Sequence, residues 1–204
     1  MGAMTDGGIG RILVASLHQS IGDELPQRLE YYEHWLTPMG LRDGRTGRAP
    51  LGAVLSFMRH EGHDSYDRVM ARAGQYSAEW HYEQSGRSQR LLGLLPHGLR
   101  ARLALRRSRR LLRSAFAPSV VRVTSRRGAG VVTVTGAVFC DLRAQWPWPT
   151  CRYYAAALER HLALQGVSAD VAIEACQATG ESACRLLVRF RRPGTGDAPA
   201  GSVS

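Results

Sequence analysis

Lysine is absent from this 204-residue chain: all 27 basic residues are arginine, set against 17 acidic ones. An arginine-only basic set is what GC-rich coding produces, so the net charge of +10 does not by itself specify a nucleic-acid partner. Cysteine is missing from the first 139 residues. No apolar run approaches the roughly 20 residues of a membrane helix, which argues against a helical membrane protein. Residues 1–10 carry neither the charged nor the apolar region of a secretory signal, so a cytoplasmic location is expected. Acidic residues are missing from residues 97–140, where ten arginines stand: Arg100, Arg102, Arg106, Arg107, Arg109, Arg110, Arg113, Arg122, Arg126 and Arg127. Enzyme signatures are also lacking. There is no Ser-His-Asp order, no paired carboxylates and no phosphate-cradling glycine loop, and Gly7-Gly8-Ile9-Gly10 has no strand before it to make a dinucleotide fingerprint.

What the chain does have is four cysteines confined to its last third: Cys140, Cys151, Cys176 and Cys184. In a reducing compartment, such a cluster favours metal binding or redox chemistry over a disulfide framework. Zinc takes four Cys or His ligands in closed structural sites, and four thiolates equally suit an iron-sulfur cluster. Three alternatives stay open beside metal: buried small apolar residues, a disulfide, or a reactive thiol. His60 and His63 bracket Glu61-Gly62, but the glycine ends the helix there, which reads as a solvated helix end. His161, near the apolar face of its helix, reads as a satisfied core or interface histidine.

Hydrophobic spacing predicts helices over residues 13–20, 25–36, 51–62, 64–82 and 98–116, with Asp23 and Asp64 as N-caps and Pro26 at an early helical position. A Pro, Gly and Arg-rich loop is expected over 37–50. After Pro118 the period changes: residues 120–124 and 131–139 read as a hairpin, 151–164 as a helix, and 171–176 with 184–190 as a second strand pair. The expected organisation is a flexible stretch at 1–10, one domain over 11–190 (helical to about 117, motif-bearing from about 118) and a disordered tail at 191–204. The expected fold class is α+β, a helical N-terminal half packed on an antiparallel sheet.

Three strings in the C-terminal half carry a family resemblance: Gly136-Ala-Val-Phe-Cys140, Cys151-Arg-Tyr-Tyr-Ala-Ala-Ala-Leu158, and the run from Glu174-Ala-Cys176 through Gly180 to Cys184-Arg-Leu-Leu-Val-Arg-Phe190. Residues 118–190 resemble the 4-vinyl reductase domain, a family related in fold to small subunits of the TRAPP vesicle-tethering complex and to the sensor domains of bacterial phenol- and xylene-responsive regulators. The resemblance implies a bacterial, homodimeric domain binding a small hydrophobic or aromatic ligand, with a structural zinc nearby. In the phenol sensors the zinc ligands are a Cys opening a helix, a Glu, and two Cys eight residues apart. Cys151, Cys176 and Cys184 match these positions. The Glu does not: the matching position holds Ile173, and Glu174 lies one step away, which on a strand is the opposite face. Cys140 is therefore the expected fourth ligand, with Glu174 as the alternative.

In that family the ligand pocket lies between helices and sheet, and Phe57, Tyr76, Trp80 and Tyr154 are the residues expected to line it. Arg102, Arg106, Arg109 and Arg113 form one stripe of a helix, read as a solvated face, as a surface for an anionic partner, nucleic acid or membrane, or as contacts for the carboxylates of a ligand. The chain thus reads as a sensor, carrier or assembly factor with a cysteine-held zinc, more a binding module than an enzyme. Alternatives are a bacteriochlorophyll or tetrapyrrole-pathway protein, an iron-sulfur redox protein, and a basic nucleic-acid-binding regulator.

Overall fold

A computed structural model describes residues 8–33, 47–85, 95–126, 128–140 and 145–191. The first helix, α1 (Arg11–Glu24), turns its apolar stripe Leu13, Val14, Leu17 and Ile21 fully inward. Pro26 opens a single 3-10 turn (Pro26–Arg28) that leads into the short α2 (Leu29–Glu33). Asp23 does not cap this helix as expected. It stays in the last turn of α1, where its carboxylate accepts hydrogen bonds from the Tyr76 hydroxyl and the Gln19 amide, which hold its pKa below the usual carboxylate value.

Helices α3 (Arg48–His60) and α4 (His63–Gln84) follow. The predicted loop over 37–50 is shorter than expected at its C-terminal end, because residues 48–50 already form the first turn of α3; positions 34–46 lie outside the described residues. Asp64 is likewise not the cap of α4. Gly62 takes that position at φ +117°, a conformation that L side chains rarely adopt, and Asp64 sits in the first turn, where a carboxylate complements the helix dipole.

Helix α5 (His97–Ala115) buries Ala101, Ala104, Leu105, Ser108, Leu111, Leu112 and Ala115 and exposes its arginines from Arg102 onward, with Arg100 half-buried. The sheet is antiparallel throughout, in the order β1-β2-β4-β3, from β1 (Val120–Arg126), β2 (Ala129–Thr135), β3 (Ala169–Ala175) and β4 (Cys184–Phe190), with α6 (Arg152–Leu164) between the two hairpins in sequence. One face, bearing Val121, Val132, Val134, Leu186 and Val188, packs under the helices. Helix α5 lies directly on it, because Gly130 presents only a hydrogen to Leu105, whose Cδ2 would collide with any Cβ there. β2 ends sooner than predicted: Gly136 turns at φ +69°, and Val138–Cys140 form a 3-10 turn instead of strand.

The expected α+β architecture is therefore what forms, with one continuous core running from Ile9 to Val188. A buried hydroxyl chain ties three helices together inside it. Tyr153 of α6 donates to Ser77 of α4 (2.6 Å), which donates to Ser16 of α1 (2.8 Å), which donates to the Leu13 carbonyl (2.9 Å). Each polar atom in that chain keeps a partner, as buried hydroxyls must. Among the described residues, no helix is long and apolar enough to cross a membrane.

Candidate metal centre

Four separate segments each deliver one cysteine to the same point. Cys140 closes the 3-10 turn after β2, Cys151 immediately precedes α6, Cys176 follows β3, and Cys184 opens β4. Their sulfurs all lie within 4.8 Å of one another, at 3.3 Å for Cys140–Cys184, 3.4 Å for Cys140–Cys176 and 3.9 Å for Cys176–Cys184. None is in a disulfide. Tetrahedral zinc with Zn–S of about 2.3 Å places its sulfurs ~3.8 Å apart, so the observed separations bracket those of a single four-thiolate ion.

The position of Cys176 depends on a bulge. Val171 and Ile173 of β3 sit opposite inward-facing Val188 and Leu186, so a regular strand would turn Cys176 outward. The register shifts between Ile173 and Ala175, leaving Glu174 as the extra residue and pairing Ala175 with the outward Arg185. Cys176 then falls inward beside Cys184. The same bulge leaves Glu174 exposed, its carboxylate 3.1 Å from Arg185 Nε, and outside the sulfur cluster.

Polar neighbours suit thiolates. Thr150, fully buried, donates to the Phe139 carbonyl at 2.9 Å and lies 3.4 Å from Cys140 Sγ; the Gln177 amide donates to Cys184 Sγ at 3.5 Å. Tyr66 Oη donates to the Thr150 carbonyl at 2.9 Å and so anchors the residue before Cys151. Buried Arg59 brings a cation to this side of the site, its guanidinium stacked over Trp146 at 5.6 Å. Hydrogen bonds from Cys140, Cys151 and Cys184 pull the Cys176 thiol down, whereas the contacts with Cys140 and Cys176, and then burial, push Cys151 and Cys184 up. In the sequence Thr150 and Gln177 are marked only by standing next to a cysteine, and Arg59 and Tyr66 have no cysteine near them at all.

Other candidate residues lie elsewhere. His60 and His63 are exposed, His60 packing edgewise against Trp146 at 5.7 Å and His63 tilted against Trp148 at 5.2 Å, clear of the sulfurs. The four aromatic pocket residues do not meet. Phe57 is 41% exposed against Tyr31, and Tyr76 and Trp80 stack on each other at 5.5 Å on a half-buried face. Tyr154 is fully buried against Phe139, and its hydroxyl has no partner among the described residues. Instead, two concavities open: one of about 440 Å³ between the start of α5 and the β1–β2 hairpin, and one of about 260 Å³ beside Cys140, between Arg48 and Gln177. Cys140, 9% exposed, is the most accessible of the four thiols. Arg102, Arg106, Arg109 and Arg113 are all exposed, with no ion pair among the described residues.

His161 is buried on α6 with His81 of α4 and Arg107 of α5 as its charged or titratable neighbours and Gln165 against its Nε2; its Nδ1 has no partner among the described residues. Burial first, then the positive charges of His81 and Arg107, hold its pKa down to about 4. Because the unfolded state binds the proton more readily, with a pKa of about 6.5, this stability is complete above that value and is lost as pH falls toward the folded pKa. Denaturant titrations at about pH 7 and about pH 5 should differ by about 2 kcal/mol more in the wild type than in His161→Phe. An equal pH dependence in both proteins would refute it.

No protein-family model matches the chain, and no curated protein is similar to it in sequence. Solved structures do resemble it. An H-NOX protein from S. oneidensis in the Fe(II)NO ligation state superposes with a TM-score of 0.55 at 10% identity over 90% of this chain and 100% of that one. The phenol-responsive sensory domain of the transcription activator PoxR, with phenol, gives 0.46 at 16% identity over 70% and 74%. A trafficking protein particle complex subunit 3 from Naegleria fowleri, covalently bound to palmitic acid, gives 0.45 at 14% over 84% and 96%. At these identities the likeness is one of fold.

Proposed function

We propose that this chain is a small-molecule-binding sensor or carrier domain of the 4-vinyl reductase type, braced by a structural zinc on Cys140, Cys151, Cys176 and Cys184. The observation that carries the metal is the convergence of four buried thiols from four segments to within 4.8 Å. Zinc would cross-link the two hairpins and the start of α6, and it would neutralise thiolates that cannot share a buried site as anions. The spacing supports one ion over an iron-sulfur cluster, whose inorganic core would stand between the sulfurs and force them further apart. The motif strings over residues 118–190 support the family. The fold it shares with a protein captured in an Fe(II)NO ligation state suits a ligand-binding role.

Anaerobically purified protein should be colourless and contain about one zinc per chain. A brown chromophore with acid-labile sulfide would replace this reading with the iron-sulfur one, and absence of any metal would end both. The choice of fourth ligand has its own test. Glu174→Gln should leave metal content unchanged, because its carboxylate pairs with Arg185 on the other side of the bulge, whereas Cys140→Ser should weaken zinc retention at least tenfold against a competing chelator. The reverse result would reinstate Glu174 as the ligand.

A further inference from the structure

The concavity of about 440 Å³ at the start of α5 lies outside the metal centre and uses none of the aromatic residues expected to line a pocket. Its origin is steric. At Gly130 and Leu105 the helix is pressed onto the sheet, but one turn earlier α5 presents Ala101, and the hairpin turn opposite is Gly128, where a Cβ would meet nothing within 4 Å. Small residues on both sides leave a wedge-shaped space. The Phe190 ring at the end of β4 supplies further apolar wall, and Arg102 of α5 and Arg126 of β1 line the same space. The Ser125 hydroxyl, also on the lining, is buried without a partner among the described residues. A buried hydroxyl in that state calls for a ligand or water atom to complete it. No acidic residue occurs anywhere between residues 97 and 140 to neutralise the two guanidinium groups from within this stretch.

We infer that this wedge binds a small amphipathic anion, an apolar body with one carboxylate or sulfonate, its charge held between Arg102 and Arg126 and its body against Ala101 and Phe190. The volume falls in the range of about 300–1,000 Å³ usual for small-molecule sites, and mainly apolar walls with a few convergent polar groups are their usual make-up. Charge complementarity selects an anion, since guanidinium groups bond carboxylates and sulfonates through paired N–H donors. The inference rests on the reading of the chain as a small-molecule binder and names the class and place of its ligand.

Two fluorescent probes with the same aromatic body separate the possibilities: anilinonaphthalene sulfonate, which is anionic, and phenylnaphthylamine, which is neutral. The sulfonate should bind saturably, one per chain and at least tenfold more tightly than the neutral probe. Arg102→Gln and Arg126→Gln should each weaken the sulfonate about tenfold and leave the neutral probe unchanged. Ala101→Phe should abolish both by filling the wedge, with near-ultraviolet circular dichroism reporting that packing is retained. Equal affinity for the two probes, or sulfonate binding unaffected by either arginine variant, overturns the inference. Saturable binding that survives Ala101→Phe in a folded protein places the ligand elsewhere and spares the broader small-molecule reading; no saturable binding of either probe overturns both. Binding of the protein to anionic vesicles that is lost in Arg102→Gln and Arg126→Gln, without saturable sulfonate binding, would overturn the inference and assign the arginines to a membrane surface instead.

Discussion

On the proposed zinc site, Cys184→Ser should strip the metal and lower the unfolding free energy by about 5 kcal/mol or more, because binding energy at a structural zinc site is folding energy and amounts to ~10–16 kcal/mol in isolated zinc modules. The position makes the effect large. Cys184 opens β4, which pairs with β2 on one side and β3 on the other, and its sulfur is 3.3 Å from Cys140 and 3.9 Å from Cys176. A serine hydroxyl fits the space but is a far poorer zinc ligand than a thiolate. The metal's share can be isolated, since in the presence of excess chelator the same substitution should cost only about 1–3 kcal/mol, the penalty of an imperfectly partnered buried hydroxyl. Denaturant unfolding of both proteins, with and without chelator, measures the two terms separately. Equal destabilisation under the two conditions would mean that Cys184 is only a buried packing residue, and the zinc reading would fail.

Much of this architecture is legible in the amino-acid sequence. The switch from a period of about 3.6 to a period of 2 at Pro118 marks where helices give way to sheet, and the β-branched runs after it became β1 and β2. Helix α5 follows its spacing within a residue at each end, because Ala101, Ala104, Leu105, Ser108 and Leu112 make one continuous stripe. The four cysteines could be named, but not how they meet. That depends on a bulge at Glu174, and no local pattern announces one extra residue in a seven-residue strand. The same parity argument that set Glu174 on the opposite face from Ile173 would, in a regular strand, have set Cys176 on the wrong face as well. The aromatic residues expected to line a pocket are spread apart for a different reason. Tyr76 and Trp80 share a helical face with the core positions Val69 and Ala73, but they lie near the end of α4, where the stripe drifts to a half-buried margin and Tyr76 spends its hydroxyl on Asp23. Asp23 and Asp64 had the right residue type for caps and the wrong offset, an error of one to three positions that propensity cannot remove.

Gly74→Ala should destabilise the fold by about 3 kcal/mol, whereas Gly52→Ala, the same substitution in another helix, should stabilise it by about 0.5–1 kcal/mol. Alanine is the better helix former at both sites, so the sign is set by what each Cβ meets. At Gly52 in α3 it meets nothing within 4 Å. At Gly74 in α4 it would collide with the Tyr153 carbonyl oxygen and come 2.8 Å from the Ala157 amide nitrogen and 3.1 Å from the Ala156 Cβ. Those obstacles are mainly backbone of α6 and cannot swing aside as a side-chain terminus could, so the two helices must separate. Separation also strains the hydroxyl chain from Tyr153 through Ser77 to Ser16, three buried groups that lose partners together. Because Cys151 immediately precedes α6, a displaced α6 should pull its sulfur away from the other three, and on the proposed zinc site Gly74→Ala should release metal to a competing chelator faster than the wild type, while Gly52→Ala should not. Urea titrations of the two variants with paired chelator kinetics decide the matter: a Gly74→Ala protein as stable as Gly52→Ala would show that α4 and α6 are not packed at backbone contact, and a destabilised one with unchanged zinc release would show that the metal centre holds its own geometry independently of that contact.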